Sequence, residues 1–444
     1  MRKLLLVFCL FIQLSWALDR QPSADYRARR QALANKIKNG VVLLFAPNEA
    51  EGPNDLYGYR PDDNFFYLSG WSEPGAALLI AASPEHSYTE IIFLPDHNPS
   101  QEKWTGPKLG PENTDAAKIT GFERVVALDN LRYELVPFLP APKTTIYTDI
   151  PAGAQVSNST SALDWLKRAN SFPVYVSFQD VRPLLASLRT VKDAGEIERI
   201  RRAADASVAA HLAAIGALKP GMKEREISAL MQYEWGKRGC ERPAYAPIVG
   251  SGFNSTVLHY SQDSETIKDG DVVLIDAAGE YSMYASDITR TLPASGKFTA
   301  RQREIYDIVL GAQRAAIAAF QPGKSTLRRD QPNSLYDVAY NYINAHGKDS
   351  HGEPLGKYFI HGLSHYVGLN VHDEGDYDVP AGPGMVFTIE PGIYIPEEKL
   401  GVRIEDVFYV DTGGKLINLS GALPHTADEV ERGMAGSKPH RASF

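Results

Sequence analysis

Cysteine is nearly absent: the 444 residues include two, Cys9 and Cys240. That excludes a disulfide framework, and a chain this long can bury a sufficient core without one. Positive charge is not in excess either. The 46 Lys and Arg residues are outnumbered by 54 Asp and Glu, for a net charge of −8, which argues against nucleic acid or an anionic membrane surface as a partner. After residue 17 no apolar run approaches bilayer length. Also missing are a Gly-x-Gly-x-x-Gly turn after a strand, a Walker loop, a His-Glu-x-x-His helix and a Gly-x-Ser-x-Gly elbow. Dinucleotide binding, P-loop, zincin and serine-hydrolase mechanisms therefore have no motif to rest on.

What is there begins with a leader. Arg2-Lys3 precede the apolar run Leu4–Trp16, and Ser15-Trp16-Ala17 offers small residues for cleavage. The pattern reads as a signal peptide over 1–17. It predicts export to the periplasm or outside the cell, with no membrane attachment after cleavage. Cleavage leaves Cys240 alone, so the mature chain has no internal disulfide. Hydrophobic content of 43% and charged content of 23% are those of a soluble globular protein, and the length suits two domains.

Residues 18–180 read as an α/β domain. Strand-length apolar runs recur at Val41–Ala46, Ala76–Ala82, Glu90–Leu94, Arg124–Leu128, Thr144–Thr148 and Val174–Phe178, with helices expected at Ala24–Lys38 and Ser161–Ala169. Arg60–Gly70, polar then aromatic, reads as a loop packing into the core. Val181–Asp193 reads as a linker. Asp193 with Glu196, and Thr299 with Gln302, then resemble capping boxes opening two helices that end at Pro220-Gly221 and Pro322-Gly323. Further helices are expected at Glu224–Lys237 and Ser334–Ala345, and strand-rich sequence follows each helix pair. The region 186–412 is thus two helix-then-sheet halves. The tail, 413–444, reads as polar, irregular and partly disordered.

The two halves repeat each other. Gly270-Asp271-Val272-Val273-Leu274-Ile275-Asp276 is echoed by Gly384-Met385-Val386-Phe387-Thr388-Ile389-Glu390. Each apolar run ends in a carboxylate, and each is followed by a second one, Asp287 or Glu405, on the next extended run. His259 lies 17 residues before Asp276 (276 − 259) and His372 lies 18 before Glu390 (390 − 372). Farther upstream, Ala-Ile-Gly-Ala-Leu-Lys-Pro-Gly at 214–221 recurs as Ala-Ile-Ala-Ala-Phe-Gln-Pro-Gly at 316–323. The bland alternative is four edge-strand acids facing water. Repetition of the acids together with a histidine favours a shared site.

Carboxylates ending buried strands need compensation, and four that converge need cations between them. Divalent metals are the usual solution. His361-Gly362-Leu363-Ser364-His365 offers two imidazoles, of which at least one is expected to join the acids. Mainly carboxylate oxygen with one imidazole favours Mn(II), with Co(II), Fe(II) or Zn(II) compatible. Two such ions about 3.5 Å apart activate water and clamp a tetrahedral intermediate, which is the chemistry of amide or ester hydrolysis without a protein nucleophile.

These motifs resemble the pita-bread metallopeptidases. The segments are Leu274–Ala277, Ser286–Thr291, His361–His365, Ile389–Gly392 and Arg403–Asp406, in family order and at family spacing. Within that family the chain is similar to the Xaa-Pro aminopeptidase (aminopeptidase P) and prolidase group. Arg60–Gly70, Trp71-Ser72-Glu73-Pro74 and Trp104-Thr105-Gly106 resemble its creatinase-type N-terminal domain.

The resemblance implies an α+β fold: a pita-bread catalytic domain with an internal pseudo-twofold repeat, preceded by that α/β domain. It implies Asp276, Asp287, His365, Glu390 and Glu405 as ligands of two metals, with Asp287 and Glu405 bridging. His259 and His372 would stabilise the oxyanion, and Glu390 would also shuttle protons. His361, Tyr394 and Arg403 would line the pocket and orient the ligands. The activity implied is release of the residue before a proline in second position, by attack of a hydroxide bridging two metals. The substrate is a peptide, and a homo-oligomer (dimer or tetramer) is implied as well. A dipeptide-specific prolidase is the near alternative, and a metal-free binding module the remote one. Two departures bear on substrate length: the short loop Ile395–Leu400, and Asn64 at a position expected near the substrate amine, where the family often has an acid.

Overall fold

The structure is a computed structural model that describes residues 18–37, 40–49, 56–82, 88–139, 144–150 and 176–436. The leader, the expected helix Ser161–Ala169 and the last residues of the tail lie outside them. Six strands build the N-terminal sheet: β1 Gly40–Phe45, β2 Ala77–Ala82, β3 Thr89–Leu94, β4 Arg124–Ala127, β5 Thr145–Thr148 and β6 Ser177–Asp180. Their spatial order is β4-β3-β2-β1-β5-β6. Strands β1, β2 and β3 pair antiparallel, and the outer pairings are parallel.

Alternation along these strands feeds two cores, as the two-residue period requires. Val41, Leu43, Leu79 and Ile91 face one side, against Leu131 and Leu135. Val42, Leu44, Leu78, Ile80 and Ile92 face the other, against Leu33 and Phe65. The second core does not stop at the domain edge. It continues into Met283, Tyr284, Val367, Leu369 and Val407 of the catalytic region.

Arg60–Gly70 corrects the sequence expectation. Asp63–Ser69 is a helix, not a loop, and Asn64 through Ser69 are all buried. Asp62 caps it by accepting from the Phe65 amide at 2.9 Å, and Gly70 ends it in the left-handed region at φ 61°. An Asp start and a Gly stop around a short aromatic run made a helical turn as readily as a loop. The linker likewise contains a helix, Arg182–Arg189, with Pro183 in its first turn.

The catalytic region repeats a helix pair and an antiparallel sheet. Helices Ala194–Ala217 and Glu224–Gly236 lead the first half; Ala300–Ala319 and Leu335–His346 lead the second. Both predicted capping boxes form, at Asp193 and at Thr299. Strands β7 Arg242–Pro243, β8 Ile248–Ser251, β9 Val272–Asp276, β10 Gly279–Glu280 and β11 Thr289–Pro293 follow the first pair. Strands β12 Val386–Ile389, β13 Gly392–Ile395, β14 Leu400–Arg403, β15 Asp406–Val410 and β16 Leu416–Asn418 follow the second.

In register, Asp276 of β9 opposes Thr289 of β11, and Ile389 of β12 opposes Asp406 of β15. Each acid pair therefore sits where one antiparallel ladder ends. A single bridge, Thr289 with Glu405, joins the two ladders, and the Glu405 amide donates to the Thr289 carbonyl at 3.1 Å. The extended run read through Val402–Val407 is two strands broken at Ile404, with Glu405 in a lone bridge between them, and Asp287 precedes β11 instead of lying within it.

The tail also differs from expectation in its described part. β16 pairs with β15, and Ala427–Ala435 is a helix with a complete capping box at Thr426 and Glu429. Val430 on it is fully buried. The segment is polar because one face meets water, and a short amphipathic helix with few apolar residues was read as irregular chain.

Candidate metal centre

Asp276, Asp287, His365, Glu390 and Glu405 gather at the seam between the two ladders. Donor atoms of Asp287, His365 and Glu405 lie within 4.8 Å of one another. His365 Nε2 is 3.1 Å from Asp287 Oδ2, 3.5 Å from Glu390 Oε1 and 3.9 Å from Glu405 Oε1. Its Nδ1 donates to the Tyr366 carbonyl at 3.1 Å, which leaves Nε2 as the nitrogen aimed at the acids.

Charge in this cluster is far from balanced by the side chains around it. Burial pushes Glu390 up to about 7, with Asp287 and Asp276 adding to the rise against the pull of His365 and Arg403. Asp276 is raised to about 6, by burial first, against the pull of Arg403. Glu405 is held well above the carboxylate range by burial and by Asp287, Glu390 and Asp276. For His365, burial favours the neutral ring, yet the Asp287 hydrogen bond and the Glu390 charge outweigh it and hold it at about 9. Each shift has the sense of a site that attracts positive charge.

Two contacts test whether divalent cations fit. Glu405 Oε1 is buried with no hydrogen-bond partner, although its other oxygen accepts from Thr289 Oγ1 at 2.6 Å. The Tyr245 hydroxyl lies 2.6 Å from Oδ1 of both Asp276 and Asp287, yet it has one proton to donate. A lone-pair acceptor left bare and two ionised acids sharing one donor are the geometry that cations complete. The oxygen-rich donor set with one imidazole fits a divalent ion.

The remaining sequence-derived residues surround this cluster. Arg403 holds Asp276 through Nη2, Thr289 Oγ1 through Nε at 3.0 Å and the Tyr394 hydroxyl through Nη1 at 2.8 Å. Tyr394 in turn lies 2.8 Å from His361 Nε2, and His361 Nδ1 lies 2.7 Å from the Gly362 carbonyl. That chain assigns the proton of His361 to Nδ1. Burial and the Arg403 charge keep the ring neutral, down at about 3. His372 packs edge-on against His365, with ring centroids 4.4 Å apart. His259 is exposed, and it is one of the neighbours that depress both His361 and His372. Asn64 is buried, and its Oδ1 accepts from Arg189 at 2.7 Å.

Three supporting residues escaped the sequence reading. Tyr245 has no counterpart in the repeat to mark it. His211 and Gln313 do have such a signal. The repeated octapeptides start 102 residues apart (316 − 214), and so do these two (313 − 211). His211 Nε2 lies 2.9 Å from the carbonyl of Ala277, next to Asp276. Gln313 donates to the carbonyl of Ile389, next to Glu390, at 3.1 Å and to Asp406, next to Glu405, at 2.8 Å. Both leading helices thus place one buried polar group, at the same repeat position, behind the strand ends that carry the acids.

Comparison with known proteins places this geometry. Residues 198–412 match metallopeptidase family M24, and residues 26–147 match the aminopeptidase P N-terminal domain. An Xaa-Pro aminopeptidase of Escherichia coli is 32% identical over 438 residues, 93% of this chain and 98% of that protein. The structure of Proline aminopeptidase P II from Yersinia pestis superposes with a TM-score of 0.80 at 32% identity, covering 94% of this chain and all of that one. Aminopeptidase P from Escherichia coli with the inhibitor Pro-Leu gives 0.81 at 31%, covering 94% and 99%.

Proposed function

Because the chain belongs to metallopeptidase family M24 and carries an aminopeptidase P N-terminal domain, we propose that it is an Xaa-Pro aminopeptidase. It removes the first residue from peptides whose second residue is proline. One observation carries the chemistry: four carboxylates and one imidazole from the two halves converge on a single buried point.

Asp276, Asp287, His365, Glu390 and Glu405 are the residues that would hold two divalent ions. Bound there, the ions supply Lewis acidity, lowering the pKa of water and taking up charge that develops on the scissile carbonyl. The oxygen-rich donor set supports Mn(II) as the native ion. Glu390, at the edge of the acid cluster 3.5 Å from His365, would take the proton of the attacking water and return it to the proline nitrogen as the bond breaks. That nitrogen carries no hydrogen in the substrate, so the returned proton is what makes it a leaving group. His372, whose ring burial keeps neutral, would donate to the carbonyl oxygen together with His259. Arg403 fixes Asp276 and, through Tyr394, fixes the tautomer of His361 at the pocket wall.

The deciding experiment incubates the mature chain and an Asp287→Ala variant with Mn(II), an Xaa-Pro dipeptide and an Xaa-Pro-Yaa tripeptide. Release of Xaa from the tripeptide, lost in the variant, is the expected result. Cleavage of the dipeptide alone makes the enzyme a prolidase, and cleavage of neither by the metal-loaded protein ends the peptidase reading.

Two coarser readings accompany it. The basic residues and apolar run of Met1–Ala17 support export, which N-terminal sequencing of the mature protein tests. A homo-oligomer, implied by the resemblance of the N-terminal domain, completes the reading, and sedimentation tests it.

A further inference from the structure

We propose that Asp373, gripped by Arg189 and Lys192, is a positioning residue for His372, and that through this grip the linker and the N-terminal domain set the imidazole against the metal centre. The proposal rests on the catalytic role of His372 given above.

The loop Gly368–Asp373 carries His372 and is held from three directions. Asp373 Oδ1 accepts from Arg189 Nη2 and from the Asn370 amide, at 3.4 Å for the latter. Asp373 Oδ2 lies 3.0 Å from Lys192 Nζ. Asn370 Oδ1 then accepts from the His372 amide at 3.1 Å. The Leu369 carbonyl accepts from Arg60 Nη2 at 2.7 Å, and the Gly368 carbonyl accepts from the Ala285 amide at 2.8 Å, two residues before Asp287. A side chain at Gly368 is impossible without displacing the clamp, since its Cβ would lie 2.1 Å from Asp373 Oδ2. Glycine there permits the carboxylate's close approach.

Arg189 faces both ways. Beyond Asp373 it donates to Asn64 at 2.7 Å and sits 3.6 Å from Asp63, both on the buried helix of the N-terminal domain. Arg189, Lys192 and Asp373 are themselves only 3%, 5% and 5% exposed. An apolar trio of the same volume would hold the domains together at least as well, because burying paired ions gains little net stability. What the ions add is direction: a carboxylate fixed by two cations admits one orientation of the turn it anchors. That turn is the one presenting His372 edge-on to His365.

The test compares Asp373→Asn with wild type, each in the presence and absence of His372→Ala. For an Xaa-Pro-Yaa tripeptide, Asp373→Asn is expected to lower kcat/KM about tenfold, the size typical of lost support behind a functional group. The fall should lie in kcat, with bound metal per chain unchanged. On the His372→Ala background the same change should alter the rate less than about twofold, because the two residues act as a unit. An equal loss on both backgrounds overturns the proposal, as does an unaltered rate.

A second readout needs no turnover. The ¹³Cε1 signal of His372, identified by its absence from His372→Ala, should move or broaden in Asp373→Asn and in Lys192→Met. An unmoved signal overturns the proposal. If wild type cleaves no Xaa-Pro bond, the peptidase reading falls and the imidazole signal alone decides the clamp. If Asp373→Asn does not fold, Lys192→Met carries both measurements.

Discussion

At the residue scale, single hydroxyl, imidazole and amide groups hold the acids of the site. Tyr245 shares one proton between Asp276 and Asp287, and its removal leaves both acids without a neutral donor. Tyr245→Phe is expected to weaken Mn(II) binding about 10- to 100-fold. Calorimetric titration checks this, and an unchanged affinity would show that the phenol is incidental. His211 gives a pH signature. Burial, then the Arg290 charge, lowers its pKa from 6.5 to about 4 in the folded chain. The unfolded chain binds the proton first, so this contribution is complete above about pH 6.5 and is lost as pH falls toward 4. The loss is about 3 kcal/mol across that window. His211→Gln keeps a donor for Ala277 and has no such titration. Denaturation curves of the two proteins should therefore converge or cross between pH 6.5 and 4, and parallel profiles would refute the assignment.

At the scale of elements, a fully buried ion pair helps lock the halves together. Arg290 on β11 and Asp406 on β15 meet at 2.7 Å with both side chains fully buried. Ser420 and Gln313 also donate to Asp406, and His425 Nε2 lies 3.1 Å from it. Burial disfavours the charged form of Asp406, but Arg290 and His425 reverse this and hold it far below the carboxylate range. Arg290→Met leaves that charge buried with one cation fewer. The expected destabilisation is about 3–5 kcal/mol by chemical denaturation. A loss below about 1 kcal/mol would mean that the pair merely fills space. The same pair explains why the ladders meet in one register: Arg290 also donates to the Glu405 carbonyl at 2.7 Å.

At the scale of the whole molecule, the catalytic centre belongs to neither half alone, and its ions should report on the entire fold. A ligand that binds only the folded chain stabilises it by about 2.7 kcal/mol at a hundred times its Kd. Mn(II) is expected to raise the unfolding temperature of the wild type, a chelator to reverse the rise, and Asp287→Ala to abolish it. A rise that persists in Asp287→Ala would place the binding elsewhere. The N-terminal domain shares this dependence, because its core runs on into Val367, Leu369 and Val407, and Arg60 bonds both Glu280 and the Leu369 carbonyl.

The sequence alone determined the repeat, the strand-terminal acids and the helix starts, because each is written in local chemistry. An apolar run ending in Asp or Glu, or Thr299 three residues before Gln302, carries its meaning within a few positions. The family resemblance added the roles proposed for His259, His361 and His372. Only the tertiary structure decided what depends on partners far along the chain. Asn64 stands, by the family resemblance, where an acid is often found near the substrate amine, and in the fold its Oδ1 accepts from Arg189, 125 positions away. Tyr245 looks like any aromatic before a strand, yet it bridges two acids that lie 31 and 42 residues on. Arg60–Gly70 became a helix because a core drawn from both domains rewarded the burial of its aromatic face. A side chain's neighbours in sequence can announce its helix or strand. Its charge state and its task are set by the potential of groups that only folding brings within reach.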